Sequence, residues 1–392
     1  MRFLFYSHDS VGLGSARRQL AVASALNRIA PDAKMLLTTS VDEAVQFDLP
    51  PMLNTFKLPG IQKQPNGEYS NSRLGISGAG LRAMRSALLH ETLKRFQPTV
   101  IIVDKHPFGV GGELDSVLAT AKASGVRLVF GLRDILDDAN AVRREWDLSR
   151  TQQRMAALYD LVLIYGKSSV YDPVDQYQFP AVLAQHAEYC GYVVNQQGGK
   201  LQPDDISATV LPNRDGRPAV LCAVGGGEDG AELLRIFIQA AAGANWQGFV
   251  VAGPLLPDRE KGVLAKLAAK NGVSWQIFNP HLARLFATAN ALVCMGGYNT
   301  LSEALSVGIP TVCIPRTKPR SEQLLRATAF ERLGLLQTIP SAELNAVSLA
   351  HKVSAAIKDS REDIFHRANT LLTFDGARQA ASHILKLAAD RT

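Results

Sequence analysis

The chain has 392 residues, too many for one ordinary domain and enough for two of about 150–200 residues each. With 46% hydrophobic and 20% charged residues it has the composition of a globular protein with sizeable cores, which excludes a disordered tail, a collagen-like fibre and a disulfide-stapled miniprotein. The net charge of +6 is spread evenly, +3 on each half, without the concentrated basic stripe of a nucleic-acid reader, so no nucleic-acid partner is expected. Contact with anionic ligands or an anionic membrane face stays open.

Short apolar runs alternate with amphipathic stretches almost from end to end. Residues 2–7 (RFLFYS) read as a strand, 15–29 as a helix and 34–39 as a second strand. A polar stretch at 57–80, rich in Gly, Ser and Asn, interrupts the rhythm. It is long enough for an acceptor-binding flap or a plain surface insertion. Helix 81–96, strand 99–103, helix 113–123, strand 126–130 and strand 160–164 follow. Between about Gly191 and Pro218 the pattern fades into Gly, Gln, Pro and Asp, as in a linker. It restarts with strand 218–224, helix 228–242, strand 248–252, helix 258–270 and strand 273–278. Helix 281–288, strand 290–294, helix 300–307, strand 310–314 and helix 320–332 complete the series. Such alternation predicts α/β architecture, with parallel sheets covered by helices, in two doubly wound, Rossmann-like domains. The boundaries are set at 1–205 and 206–373, with a terminal segment at 374–392.

Cys190, Cys222, Cys294 and Cys313 lie at least 19 residues apart, without metal-ligand spacing, and read as small buried hydrophobes. The apolar start, Met1 to Ser7, is too short for a signal peptide, and no run approaches the roughly 18 apolar residues of a membrane span. A cytoplasmic location is expected.

The strongest local motif is CMGGYNTLSEALSVGIP, Cys294 to Pro310. A buried strand runs into Gly296 and Gly297, where a ligand can approach bare backbone. The amides of Tyr298, Asn299 and Thr300 then open a helix, where free donors and the dipole favour phosphate. Thr300 and Glu303 also fit a Thr-x-x-Glu capping box, which needs no ligand. Gly225-Gly226-Gly227 is a second glycine loop at a strand end, either a plain turn or a further close-approach site. In the first half, His8-Asp9 lead into Gly12, Gly14 and Ser15. Arg17 stands where a dinucleotide fingerprint needs its third glycine, which argues against NAD or FAD. His8, Asp9 and His106 are candidate acid/base groups at strand ends, or ordinary turn residues. Asp104, Glu113 and Arg133 either line the same cleft or pair within loops.

These residues resemble a known family. The second half, Val220 to Leu333 and most strongly 290–327, is similar to the carboxyl-terminal domain of the GT-B glycosyltransferase that adds N-acetylglucosamine to the lipid-linked peptidoglycan precursor. The whole chain resembles the related bacterial "predicted glycosyltransferase" group, in the order HD, GLG and RR, KLPG and NGEYS, VDKHPFG and GLRDIL. The resemblance implies a GT-B fold, with the two domains facing a cleft and the last helix packing back on the first domain. It implies an inverting transfer from a nucleotide-diphosphate sugar, uridine-linked, to a small-molecule or lipid-linked acceptor, with no metal and no further cofactor. The Gly225–Gly227 loop and the Gly296–Thr300 turn would face the diphosphate, and Glu303 the ribose. Ile277 and Phe278 would meet the base, and Glu322 and Gln323 the donor sugar. Gly12, Gly14, Ser15, Asp104, Glu113 and Arg133 would lie on the acceptor side, with Asp9, His8 or His106 catalytic. One departure stands out: relatives carry His where this chain has Ser15, and a serine hydroxyl needs an activating partner to act as a base. A nucleotide-sugar epimerase or hydrolase, or a non-catalytic nucleotide-sugar-binding protein, are the rival readings. Oligomeric state is left open.

Overall fold

A computed structural model describes residues 1–7, 13–41, 47–63, 69–70, 75–195, 211 and 216–390. The chain divides into two compact units. The first comprises Met1–Asp134, Ala139–Val193 and Asp375–Thr392, and the second Ile135–Asp138 and Val194–Phe374.

The first unit is built on seven parallel strands: β1 (Arg2–Tyr6), β2 (Lys34–Thr39), β3 (Leu53–Lys57), then β6 (Val100–Asp104), β7 (Arg127–Arg133), β8 (Leu161–Tyr165) and β9 (Ala187–Tyr189). Between β3 and β6 lies a small antiparallel pair, β4 (Gln62–Lys63) and β5 (Tyr69–Ser70), inside the polar stretch read as a loop. The spatial order is β3-β2-β1-β6-β7-β8-β9, so the chain reverses direction across the sheet between β1 and β6. Every residue of β6 and β8 is buried, as expected of central strands covered on both faces. The Gly78–Phe96 helix starts at Ser77, whose side chain accepts the Gly80 amide at 3.2 Å. Two helices that sequence periodicity did not mark, Ala139–Leu148 and Thr151–Leu158, precede β8.

The C-terminal helix, Gly376–Ala389, belongs to this unit and packs on the Gly14–Ile29 helix. Its first residue must be glycine, because a Cβ there would stand 2.5 Å from the Gly191 carbonyl oxygen. The stretch read as a linker therefore begins as packed structure, with Tyr192, Val193 and Val194 buried. Most of the remainder of that linker, 196–210 and 212–215, lies outside the described residues.

The second unit carries six parallel strands: β10 (Ala219–Ala223), β11 (Gln247–Val251), β12 (Ser274–Gln276), β13 (Ala291–Cys294), β14 (Thr311–Cys313) and β15 (Gln337–Thr338). Their order, β12-β11-β10-β13-β14-β15, reverses between β10 and β13. β10 and β13 are wholly buried; Val220, Cys222 and Val293 join Phe237, Trp246 and Leu264 in one core. β12 is shorter than the predicted 273–278, so Ile277 and Phe278 follow the strand instead of closing it. Among the described residues no helix is long and apolar enough to cross a membrane.

Candidate donor-binding site

In open parallel sheets ligands bind outside the carboxyl ends of the strands where strand order reverses. In the second unit that point lies between β10 and β13, and both strands end in glycines.

The three glycines after β10 have different jobs. Gly227 (φ +95°) and Gly253 (φ +87°) lie back to back. A Cβ on Gly227 would meet the Ala252 carbonyl oxygen at 2.4 Å, and one on Gly253 would meet Gly226 backbone at 2.4 Å. Their glycine identity is a packing requirement. Gly225 (φ +67°) is exposed with open space around its missing side chain, so it offers bare backbone outward. Ile277 fixes the neighbouring strand end by accepting the Gly253 amide at 2.8 Å, and Phe278 stands half-buried beside it.

After β13, Gly296 takes φ +83°, with a would-be Cβ 3.1 Å from Cys313 Sγ and 3.3 Å from the Gln323 carbonyl oxygen. Gly297 is different: it has ordinary extended angles (φ −62°, ψ 142°) and nothing within 4 Å of a Cβ. It is the N-cap of the Tyr298–Ser306 helix and, having no side chain, makes no side-chain cap bond. The helix thus begins two residues earlier than the sequence suggested, which removes the capping box. Thr300 is the third helical residue, not the cap, and Glu303 the sixth. Tyr298, Asn299, Thr300 and Glu303 are all buried. The first N–H groups of a helix have no intrahelical carbonyl to meet, and here the dipole's positive end coincides with a glycine cap.

The turn is held from beneath by an arginine. Arg326, 1% exposed, donates from Nη1 to the Gly296 carbonyl at 3.2 Å and from Nη2 to the Ile135 carbonyl at 3.2 Å, with its guanidinium 5.6 Å from the centre of the Tyr298 ring. Glu322 and Gln323 open the Glu322–Arg332 helix directly against Gly296. Arg316, just beyond β14, donates from Nη1 to Asp229 and from Nη2 to Glu322 Oε1 (2.9 Å), while its backbone N–H donates to Gln323 Oε1 (3.2 Å). Burial works against the Arg316 charge, but the hydrogen bond it donates to Asp229 and the charge of Glu322 outweigh it and raise its pKa. Asp137 supplies a cap from a distant part of the sequence: its Oδ1 accepts the Ser321 amide (2.8 Å) and hydroxyl (2.9 Å) at the start of the same helix. Partial burial opposes its ionisation, but the backbone bonds from Ser321 and Asp138 hold the carboxyl below its usual range.

The predicted first-unit residues fall into three groups. His8, Asp9 and Gly12 lie outside the described residues. Gly14 opens the Gly14–Ile29 helix, and Ser15 turns inward, its hydroxyl donating to the fully buried Asp104. Arg18 grips the same carboxylate from Nε (3.2 Å) and Nη2 (2.6 Å). Glu113 is held separately by Arg85, through Nε to Oε2 (2.6 Å) and Nη2 to Oε1 (2.8 Å), and by the Tyr6 hydroxyl. Burial, then the Glu113 charge, raises the Tyr6 pKa well above its ordinary value. Asp104 and Glu113 are therefore brought together with arginines and not with each other. His106 follows β6, half-buried, with its N–H bonded to the Asp104 carbonyl at 3.0 Å, and Arg133 closes β7.

Sequence reasoning passed over Arg85, Arg326, Arg316 and Asp137. A signal existed for two of them. Arg85 replaces an apolar residue in the buried stripe Leu81, Arg85, Leu89, Leu93, and Arg326 lies between Glu322 and Phe330 on the buried face of its helix.

Residues 224–383 match the glycosyltransferase family 28 C-terminal domain. The chain is 26% identical to the NDP-glycosyltransferase YjiC of Bacillus subtilis (strain 168) over 182 residues, 45% of this chain and 43% of that protein. That match thus spans less than half of the Bacillus protein. A longer match, 22% identical over 325 residues, covers 80% of this chain and 82% of a Salmonella arizonae (strain ATCC BAA-731 / CDC346-86 / RSK2980) protein. That relative is the UDP-N-acetylglucosamine--N-acetylmuramyl-(pentapeptide) pyrophosphoryl-undecaprenol N-acetylglucosamine transferase. The crystal structure of CalG4, the calicheamicin glycosyltransferase, superposes with a TM-score of 0.63 at 17% identity, over 99% of this chain and 98% of that one. The chain thus has the GT-B fold and carries a glycosyltransferase family 28 C-terminal domain, which together support a GT-B glycosyltransferase related to the peptidoglycan N-acetylglucosamine transferase.

Proposed function

We propose that the protein transfers a sugar from a nucleotide-diphosphate sugar, uridine-linked, to an acceptor hydroxyl, by direct displacement with inversion and without a metal ion. The observation that carries this reading is the glycine-capped N-terminus of the Tyr298–Ser306 helix at the β10/β13 reversal, with bare backbone at Gly225 and Gly297. Main-chain donors and a helix dipole suit a diphosphate, and they would stabilise the charge that grows on it as the bond to the anomeric carbon breaks. Glu303 would accept from the ribose hydroxyls, and Ile277 and Phe278 would flank the base. The acceptor oxygen forms the new bond to the anomeric carbon, and its proton passes to a first-unit base, for which Asp9, His8 and His106 are the candidates. The acceptor is a small molecule or a lipid-linked one, and the cytoplasm is the proposed compartment.

The test is incubation of the full chain with nucleotide sugars and an acceptor panel that includes polyprenyl-linked saccharides. The anomeric configuration of any product is read by NMR, with and without a chelator. Transfer with inversion and no chelator effect is expected. Retention, or activity abolished by the chelator, would overturn those parts of the proposal. A second reading, nucleotide-sugar binding without transfer, is favoured by Ser15, whose hydroxyl is committed to Asp104. Nucleotide binding without turnover across the panel would select it.

A further inference from the structure

Arg–carboxylate pairs commonly engage two nitrogens with two oxygens. The Arg316–Glu322 pair engages only one of each: Nη2 meets Oε1, while Nε and Oε2 are buried and, among the described residues, without a partner. Glu322 is 6% exposed, so that oxygen has little access to bulk water, and a buried carboxylate oxygen left unbonded is costly. Nε and Nη2 share one edge of the guanidinium, so the two unused atoms, one donor and one acceptor, belong to the same edge of the pair. Gln323 adds a third group: its Oε1 is taken by the Arg316 amide, which leaves its NH2 to donate.

Given the donor-site reading above, on which this rests, we propose that Arg316 is a positioning residue. It sets Glu322 and Gln323 to read an uncharged, hydroxyl-bearing sugar on the donor, and the cluster rejects hexuronates. An uncharged hydroxyl can accept from Nε and donate to Oε2 at once. A sugar carboxylate can only accept, and would face an ionised oxygen. The charge within the cluster points the same way. Arg316 is shared by two carboxylates, Asp229 and Glu322, so the hydrogen-bonded set carries one surplus negative charge. Asp229 also ties this set to the glycine loop after β10, which places sugar selection next to the turn proposed for the diphosphate.

The test is calorimetric binding of UDP, UDP-glucose and UDP-glucuronate to the full chain, repeated with UDP-N-acetylglucosamine and its uronate. The wild type should bind each hexose roughly tenfold or more tighter than its uronate, as one unscreened charge near the protein surface warrants. Asp229→Asn, at a half-exposed side chain, removes the surplus charge and should narrow that ratio severalfold while leaving UDP affinity unchanged. Arg316→Met should bring hexose affinity down to that of UDP alone, with UDP affinity retained, a split that general loss of structure would not produce. UDP binding with equal hexose and uronate affinity, or variants that weaken UDP and UDP-sugars alike, would overturn the proposal and leave the donor-site reading standing. Failure of every UDP ligand to bind would overturn both.

Discussion

Gly297 offers a perturbation whose effects on stability and binding have opposite signs. Its backbone already has the extended angles of an N-cap, and nothing lies within 4 Å of a Cβ, so Gly297→Ser meets no steric cost. Serine is a better N-cap than glycine by a few tenths of a kcal/mol, because its hydroxyl accepts an amide of the first turn. A bound diphosphate would need those same amides. Losing one charge-assisted hydrogen bond costs about 1.5–3 kcal/mol, or roughly 10- to 150-fold in Kd. The variant should therefore melt at the wild-type temperature or slightly above, and bind UDP at least about tenfold more weakly by titration calorimetry. Gly253→Ala is the control: its methyl would meet Gly226 backbone at 2.4 Å in a left-handed conformation, so it should destabilise the unit itself. Unchanged UDP affinity in Gly297→Ser would refute the idea that the turn after β13 receives the phosphates.

Glu303→Gln keeps the side-chain volume of a residue six positions into its helix, where it has no capping role. Nucleotide affinity should drop by roughly tenfold with little change in melting temperature, and a large stability loss at unchanged affinity would return Glu303 to a structural part. Arg85→Met strands Glu113 in the interior and also removes the bonds to Ser40 Oγ and the Pro59 carbonyl, so a loss of about 3–5 kcal/mol is expected by chemical denaturation. The double variant Arg85→Met/Glu113→Gln should recover part of it; a single-variant cost below about 1 kcal/mol would contradict the burial argument. Asp137 contributes stability only while ionised. Because its folded pKa is depressed, that contribution is complete above the ordinary carboxylate value of about 3.9 and is lost as pH falls through the folded value. Asp137→Asn should accordingly lose less stability than the wild type between about pH 5 and 3, and parallel losses would show that other groups govern acid unfolding.

The strand–helix rhythm was legible because central parallel strands such as VIIVD and ALVC are apolar on both faces, and their shortness and flanking turn residues, not their periodicity, set them apart from buried helix. The two glycine loops were legible too, but not the division of labour within them. Gly227 needs Gly253, 26 residues on, to explain it, and that approach is a product of the sheet. The helix start at Tyr298 was misplaced because Thr300 and Glu303 form a capping pattern by themselves. Gly297, with no side chain to advertise a cap, takes the position instead. Asp137 could not be found at all, since its partner Ser321 lies 184 residues away and the cap is made by a residue foreign to the helix.

The two units share a topology and differ in how the strand ends at the reversal are used. In the first, the carboxylate at the end of β6 is closed off by Arg18 and Ser15, so its charge is spent on holding β6 to the Gly14–Ile29 helix. In the second, the strand ends at the reversal run into glycines, and Gly297 caps the next helix without a side chain of its own. A site made of amides leaves its mark in sequence as missing side chains, which is why the proposed donor half is read from glycines. A site made of side chains is marked only by ordinary polar residues, and two of those named in the first unit, Asp104 and Glu113, are consumed by arginines that helical periodicity places on buried faces. For the transfer proposed above, the acid/base role is therefore assigned to residues outside these pairs. On the proposed function, one of Asp9, His8 and His106, and not Ser15 or Asp104, is then the position at which substitution should abolish transfer while leaving nucleotide binding intact.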